Sequence, residues 1–172
     1  LLGDMAKGSM GLCSLNCYHA CKSFTTILQE GGVMQEPSIQ SFSDLLAVAR
    51  QQSEPQRLLF VFARPELPEG HTAEQAKRFA EGQGGHLAPV LCVDKSANEL
   101  GSFDELVAES ETTGQEWAVV FVAALSGQMG CEAAPESCDK ALRNMVSSIQ
   151  VGRVAGFLTF DRSGAPMELI TG

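Results

Sequence analysis

The apolar run Arg57–Ala63, RLLFVFA, decides the fold. After its first residue the run contains only apolar side chains, with Leu, Val and Phe predominating. Continuous runs of this kind are typical of strands that are buried on both faces. A second run, Trp117–Leu125 (WAVVFVAAL), has the same character. We therefore expect both runs to form strands near the centre of one sheet.

Helical patterns alternate with these strands. Three of them begin at Ser41, Thr72 and Ser102, each followed three residues later by an acid or amide, which is the spacing of a capping box. The predicted helices cover about 42–52, 73–82, 103–113 and 137–150, and the shorter strand candidates are 86–94, 156–161 and 167–170. Pro89 favours an edge position or a bulge for the first of these strands. The fold class is therefore α/β (α+β), with a single mixed sheet of four to five strands and packed helices.

An internal duplication is a further prediction. Residues 41–63 match 102–124 at a shift of 61, and the segment ending in Asp94-Lys95-Ser96 matches the one ending in Asp161-Arg162-Ser163 at a shift of 67. The chain is thus expected to hold one α/β domain at 34–172, made of αβαβ pseudo-repeats at 41–97 and 102–164.

The N-terminal segment differs in kind from the rest. Cys13, Cys17 and Cys21 share one helical stripe with other apolar residues, so we interpret 1–33 as an appended helix that uses cysteine as a small apolar residue. A metal site on these cysteines is the less favoured alternative, because tetrahedral zinc needs a fourth ligand and usually a second cluster. Met34 is expected as an alternative start, which would leave 1–33 outside the natural domain.

Charge and composition exclude several function classes. The net charge of −9 falls entirely on 34–172, since 1–33 carry two basic and two acidic residues. An acidic chain is a poor ligand for nucleic acid or for anionic membranes, and the sequence has neither a transmembrane run nor a signal-peptide pattern. We expect an acidic cytoplasmic protein with reduced cysteines, and we predict no cofactor.

The ligand-binding candidates are Arg64, Asp94, Lys95, Asp161 and Arg162, which lie at the carboxyl ends of predicted strands or directly after them. Polar residues at strand ends often hold ligands in open sheets. The same residue types also form ordinary turns, and we favour the turn as the interpretation of these residues. The loops at 64–70 and 126–131 leave corresponding strands, so they are expected at the same edge of the sheet as mobile polar loops. No catalytic residue is assigned.

Four segments resemble a group of short proteobacterial proteins that are often labelled "ribonucleotide reductase subunit alpha". They are PQRLLFVFA (55–63), PVLCVDKS (89–96), EWAVVFVAALSG (116–127) and GFLTFDRSG (156–164), and the resemblance covers about 38–170. The label implies a large barrel enzyme with a redox-active cysteine pair. This chain is too short for that barrel, and Cys92, Cys131 and Cys138 do not reproduce the arrangement, so the label is interpreted as a misnomer.

Two main functional hypotheses follow from the sequence. The first is a non-enzymatic binding or regulatory module that binds a protein partner or forms a homodimer. The alternative is a small-molecule or nucleotide-related enzyme or ligand sensor with its site at the strand ends. A deep polar pocket would favour the alternative, whereas an exposed interaction surface would favour the module.

Overall fold

The structure is a computed structural model that describes residues 39–169. Helices and strands alternate along this part of the chain. The helices are α1 (Phe42–Arg50), α2 (Ala73–Ala80), α3 (Phe103–Glu111) and α4 (Pro135–Gln150), and the strands are β1 (Gln56–Glu66), β2 (His86–Ser96), β3 (Val119–Ser126) and β4 (Leu158–Asp161). The predictions for 1–33, Met34, Cys13, Cys17 and Cys21 lie outside the described residues.

The four strands form one sheet in the order β2-β1-β3-β4. The predicted α/β (α+β) class, with one sheet of four to five strands, is confirmed, and the two apolar runs are its central strands. All three strand pairs are antiparallel, whereas a mixed sheet was expected. The difference arises because β1 and β2 pair as a long hairpin whose connection carries α2, and β3 and β4 likewise flank α4. Neither connection crosses over to make a parallel neighbour.

Each predicted hydroxyl cap is confirmed. The Ser41 and Ser102 hydroxyls accept hydrogen bonds from the backbone N–H of Asp44 and Glu105, at 3.1 and 3.2 Å. Thr72 and Gln75 complete a reciprocal capping box at the start of α2. These bonds satisfy backbone donors that the first helical turn leaves unpaired. The fourth helix begins at Pro135, and its N-cap residue makes no side-chain hydrogen bond.

The sheet is buried on both faces, as the apolar runs predict. One face, which we call the α1/α3 face, packs alternate β1 and β3 side chains such as Phe60 and Val122 against α1 and α3. The other, the α4 face, packs the intervening side chains such as Val61 and Phe121 against α4. Helix α2 contributes no buried residue, so it lies at the tip of the β1–β2 hairpin without covering either face.

Two details concern the ends and edges of the sheet. Strand β2 is an edge strand, and its register with β1 shifts between Leu91 and Pro89, so the expected edge position and bulge both occur. Residues 167–169 do not form the predicted strand. Instead the Met167 N–H donates to the Thr159 carbonyl at 2.9 Å, and Pro166 bridges to Phe160, which lays this segment along the outer side of β4.

The duplication predicted at a shift of 61 does not hold in the central strands. That shift equates Phe60 with Phe121, but Phe60 lies on the α1/α3 face and Phe121 on the α4 face. A one-residue slip in a strand moves every side chain to the opposite face, and a shift of 60 restores matching faces. The shift of 67 equates Asp94 with Asp161 on the same face, beside Leu59 and Val119. Duplication itself stays a prediction.

Candidate functional site

Arg57 organises the end of the sheet at which β1 begins. Its Nε lies 2.8 Å from Asp94 Oδ2 on the neighbouring strand, and its terminal nitrogen Nη2 also donates to that oxygen. Its other terminal nitrogen donates to Glu132 Oε2 at 2.9 Å. The side chains of Arg57 and Asp94 are about one quarter exposed, so the pair is partly desolvated. The guanidinium therefore ties β1, β2 and the segment before α4 together.

Two thiols lie in the field of these carboxylates. Burial, together with the nearby charge of Asp94, raises the pKa of Cys138 to about 11. Partial burial also raises the pKa of Cys92, together with the charges of Asp139 and Asp94. A thiol acts as a nucleophile or metal ligand in its deprotonated form. Both thiols stay protonated near neutral pH, so this cluster does not favour thiolate chemistry.

At the opposite end of the sheet Asp161 closes a turn. Its Oδ1 accepts hydrogen bonds from the Ser163 hydroxyl at 2.6 Å, the Ser163 N–H at 2.8 Å and the Ala165 N–H at 3.1 Å. These bonds lower the pKa of Asp161, with the Ser163 hydroxyl as the largest cause. The carboxylate is therefore used by its own loop, which is the turn geometry that Asp and Ser favour.

The two bases that follow these acids both contact α3. Lys95 forms an ion pair with Glu109, and Arg162 forms one with Glu111 at 2.7 Å. The Arg162 guanidinium carbon also lies 4.7 Å from the centre of the Trp117 ring, which is within cation–π range. Both bases thus hold α3 against the sheet.

The five predicted ligand-binding residues do not converge. Asp94 and Lys95 lie beside the start of β1, while Asp161, Arg162 and Arg64 lie at its far end. Arg64 is part of β1 rather than a loop, and it pairs with Glu66 through a 2.7 Å hydrogen bond. The expectation of a shared edge for the loops after β1 and β3 is wrong, because antiparallel strands end at opposite ends of a sheet.

The loop after β3 is a tight turn. Gln128 and Cys131 exchange backbone hydrogen bonds of 2.9 and 3.0 Å, and the residues between them, Met129 and Gly130, have φ values of 55° and 75°. Both angles are positive, as a type I′ turn requires. Glu54 accepts the Gly130 N–H at 2.7 Å, which anchors the turn. Met129 is 95% exposed at its tip, so the loop presents an apolar side chain rather than a polar surface.

An open depression of about 370 Å³ lies beyond the end of α4. It is lined by Gly152, Arg153, Val154, Ala155, Gly156 and Leu169. The lining offers one cation and otherwise backbone and apolar groups, so it brings together no acid and base for catalysis. None of the five predicted ligand-binding residues contributes to it. Within residues 39–169, no group of three or more His, Cys, Asp or Glu side chains is placed to hold a metal ion.

The sequence did not single out Arg57, Glu132 or the outer edge of β2. A lone cation at the head of a buried apolar run is a weak signal that could have marked Arg57, because such a charge needs a partner. Glu132 lies 75 residues away from Arg57, and only the fold brings the two together. The edge was hinted at by Pro89 alone.

The outer edges of the sheet differ. The segment 165–167 bonds back to β4 through Asp161 and Thr159, so that edge is occupied by the chain itself. Strand β2 pairs with β1 on its inner side, and across the described part of the chain no backbone group bonds to its outer side between His86 and Asp94. Unpaired N–H and C=O groups in a row form a template for another strand. This edge is therefore the candidate functional surface.

Comparison with known proteins adds no assignment: no protein-family model, curated protein or solved structure matches this chain. The resemblance to short proteobacterial proteins stays a prediction. Among the helices within 39–169, none has both the length and the apolar character that crossing a lipid bilayer demands.

Proposed function

We propose that this chain is a small non-enzymatic binding module that binds protein by adding a strand to the outer edge of β2. The observation that carries the proposal is the contrast between the two sheet edges. One is covered by residues 165–167, and the other, along β2, bonds on its outer side to no backbone group of residues 39–169 between His86 and Asp94. In strand addition the main-chain hydrogen bonds supply affinity, and the side chains alternating along the strand supply specificity.

The state of the polar candidates supports a binding module over an enzyme. Each predicted ligand-binding residue already has a partner within the chain: Asp94 binds Arg57, Asp161 binds Ser163, and the three bases pair with glutamates. A substrate at any of them would have to displace that partner. Free thiols at Cys92, Cys131 and Cys138 fit the reducing cytoplasm, which we propose as the location.

Quantitative affinity capture from the native host, with the full chain as bait, tests this function. The wild type is compared with Cys92→Pro and Cys92→Thr. Because the Ala97 N–H donates to the Gln56 carbonyl and residues alternate along an antiparallel strand, the N–H of Cys92 points away from β1. Proline removes that N–H, whereas threonine keeps it and suits a strand. We expect proteins retained by the wild type and by Cys92→Thr to be lost with Cys92→Pro. A protein set that is the same for all three baits would contradict binding through this edge.

A thermal-shift screen of nucleotides and metabolites covers the alternative. If the chain is a binding module, no compound should stabilise it by binding to the residues at the strand ends. A compound that raises the melting temperature of the wild type and not that of Arg162→Met would instead favour the ligand sensor.

A further inference from the structure

The backbone groups that β2 turns outward belong to Cys92 and Asp94. The Ala97 N–H donates to the Gln56 carbonyl at 3.0 Å, so Ala97 faces β1. Residues of an antiparallel ladder alternate between facing the partner strand and facing away from it. Counting back from Ala97 along β2, the N–H and C=O groups of Cys92 and Asp94 therefore face away from β1. Within residues 39–169 no backbone group bonds to them.

This outward stretch has defined ends. At one end Pro89, which has no N–H, accompanies a shift in the register with β1. At the other end the Ser96 carbonyl already accepts the N–H groups of Glu99 and Leu100, at 3.1 and 3.3 Å. The part of the edge that the described chain leaves for pairing is thus Val90–Asp94, about 17 Å of extended chain.

The two sides of this stretch differ in chemistry. Leu91 and Val93 lie at the margin of the α1/α3 face, where they pack against the apolar core and stay half-buried. Cys92 and Asp94 lie on the opposite side, beside α4, because their partners on β1 belong to the core of the α4 face. Side chains of directly paired residues lie on the same side of a sheet. A strand added to this edge therefore meets apolar side chains on one side and the surroundings of α4 on the other.

The α4 side of the stretch is negatively charged. Asp139 of α4 is exposed and forms no ion pair with any residue of 39–169, not even with Arg143 one turn further along the helix. Burial raises the pKa of the Cys92 thiol, and the charges of Asp139 and then Asp94 raise it as well. Both charges that act at Cys92 are therefore negative, and a cation placed beside this residue is attracted to them.

We propose that the β2 edge takes an extended segment of another protein in which basic and apolar residues alternate. The inference rests on the proposed function and names the chemistry of the partner. The backbone of the segment bonds to Cys92 and Asp94, and its basic side chains lie on the α4 side beside Asp139. Its apolar side chains cover Leu91 and Val93 on the other side. A second copy of this chain does not meet this description, because its own charge of −9 brings further acid to the same edge.

Opposite charges give this contact a characteristic salt dependence. The net charge of −9 attracts a basic segment beyond the contact itself and speeds its encounter at low ionic strength. Salt screens this attraction as well as the exposed pairs that form at the edge. The affinity should therefore fall several-fold between low and physiological ionic strength. A contact made only of backbone hydrogen bonds and apolar side chains would keep its affinity instead.

An NMR titration of the ¹⁵N-labelled full chain tests the chemistry of the partner. The probe is a capped peptide of about seven residues that alternates lysine and valine, which spans the stretch with one residue to spare at each end. Its matched control carries glutamate in place of each lysine. The lysine peptide should shift the amide signals of Cys92 and Asp94 and slow their hydrogen exchange. The glutamate peptide should bind at least about ten-fold more weakly, because like charges then meet at the edge.

Two substitutions that remove the same charge distinguish the edge from the net charge. Asp139→Asn removes the carboxylate that acts on Cys92, and should weaken the lysine peptide about two- to five-fold, the scale of an exposed ion pair. Glu168→Gln removes one negative charge beside the opposite edge of the sheet, and should change the affinity much less. Both residues are exposed, and circular dichroism confirms that each variant is folded. Equal effects would show that only the net charge attracts the peptide, and would overturn the inference.

The outcomes separate this inference from the proposed function. If the glutamate peptide shifts the Cys92 and Asp94 amides at the same concentration as the lysine peptide, the basic partner is wrong and strand addition stands. If the lysine peptide leaves both amides unmoved at millimolar concentration, the basic partner is also wrong, and loss of captured proteins with Cys92→Pro would still support the module. Slow exchange of both amides in the free chain would show that the edge is already covered, and both proposals would fall.

Discussion

Strands β2 and β4 end in the same pattern of acid, base and serine, yet the two endings are used differently. At the first, Asp94 reaches across to Arg57 on β1. At the second, Asp161 bonds to Ser163 and Ala165 in its own turn. The bases behave alike, since Lys95 and Arg162 both pair with glutamates of α3.

The neighbouring strand explains the difference. On β1 the residue two before the partner of Asp94 is Arg57. The residue two before the partner of Asp161 is Trp117, which precedes β3 and packs on the α1/α3 face against Phe62. A cation beside the first carboxylate makes a cross-strand ion pair. The carboxylate of Asp161 lies on the α4 face beside Val119. The Trp117 ring is on the other face, where it stacks with Arg162, so this position offers Asp161 no positive partner. The same three residues thus acquire different roles because the adjacent strand places a cation beside the first carboxylate and not beside the second.

The largest expected effect comes from replacing Arg57 by methionine. The change leaves the carboxylates of Asp94 and Glu132 without their cation in a partly desolvated site, at an expected loss of about 1–3 kcal/mol in the free energy of unfolding. Chemical denaturation measures it. The matched control is Lys95→Met, which breaks a more exposed pair and should cost at most about 1 kcal/mol. Equal losses for the two variants would contradict the distinction between the endings.

Removal of the Ser110 hydroxyl should have the next largest effect. Trp117 donates its indole N–H to Ser110 Oγ at 2.8 Å in a buried environment, and Ser110→Ala leaves that donor unsatisfied. The expected loss is about 1–2 kcal/mol. Because Trp117 is the single tryptophan of the chain, its fluorescence emission should shift as well. Thr112→Ala, which removes an exposed hydroxyl from the C-cap residue of the same helix, should change neither quantity by much.

The sequence predicted the parts of the fold that local chemistry controls. The apolar runs at 57–63 and 117–125 became the central strands, and the caps at Ser41, Thr72 and Ser102 started their helices. Each of these features depends on a few consecutive residues. Strand direction does not depend on a few consecutive residues. For this reason the sequence predicted a mixed sheet, whereas the sheet is antiparallel. The sequence also did not show which face of the sheet each strand residue occupies. In a run that is apolar on both faces, shifting the alignment by one residue leaves the pattern unchanged.

The candidate surface was less predictable for a related reason. Sequence reasoning found the polar strand endings and favoured their interpretation as turns, which describes Asp161 well. It could not find the partner of Asp94, because Arg57 is 37 residues away and is brought near only by the β1–β2 register. The open edge of β2 has no sequence motif at all. It is defined by what the other segments within 39–169 leave uncovered, which depends on how these segments pack together.

A smaller effect distinguishes the two bases. Arg162 stacks on Trp117 as well as pairing with Glu111, whereas Lys95 makes a single ion pair with Glu109. Arg162→Lys keeps the charge and loses the planar stacking, and should cost about 0.5 kcal/mol. Lys95→Arg should be neutral within about 0.3 kcal/mol, because an exposed point contact does not need the guanidinium. Thermal unfolding of both variants makes the comparison, and a larger loss for Lys95→Arg would reverse the assignment.

The smallest expected effect is on the pH dependence of stability, through one carboxylate near each strand ending. The pKa of Glu132 is lowered from the ordinary value of 4.5 by the Ser96 hydroxyl and then by Arg57. The pKa of Asp161 is lowered from 3.8, chiefly by the Ser163 hydroxyl. Lowered folded-state values mean that each carboxylate stabilises the fold above its ordinary pKa. That contribution is lost as the pH falls through the folded value, so stability should decline below about pH 4.5.

Carboxyl ¹³C NMR can resolve the two groups and test whether the endings are independent. In Arg57→Met the pKa of Glu132 should rise toward 4.5 while that of Asp161 stays unchanged. In Ser163→Ala the pKa of Asp161 should rise toward 3.8 while that of Glu132 stays unchanged. The reciprocal pattern follows because the two carboxylates lie at opposite ends of an antiparallel sheet, beyond the range at which exposed charges interact in physiological salt. If either substitution moved both pKa values, the endings would be coupled through the sheet, and Arg57 and Trp117 would no longer account for their difference.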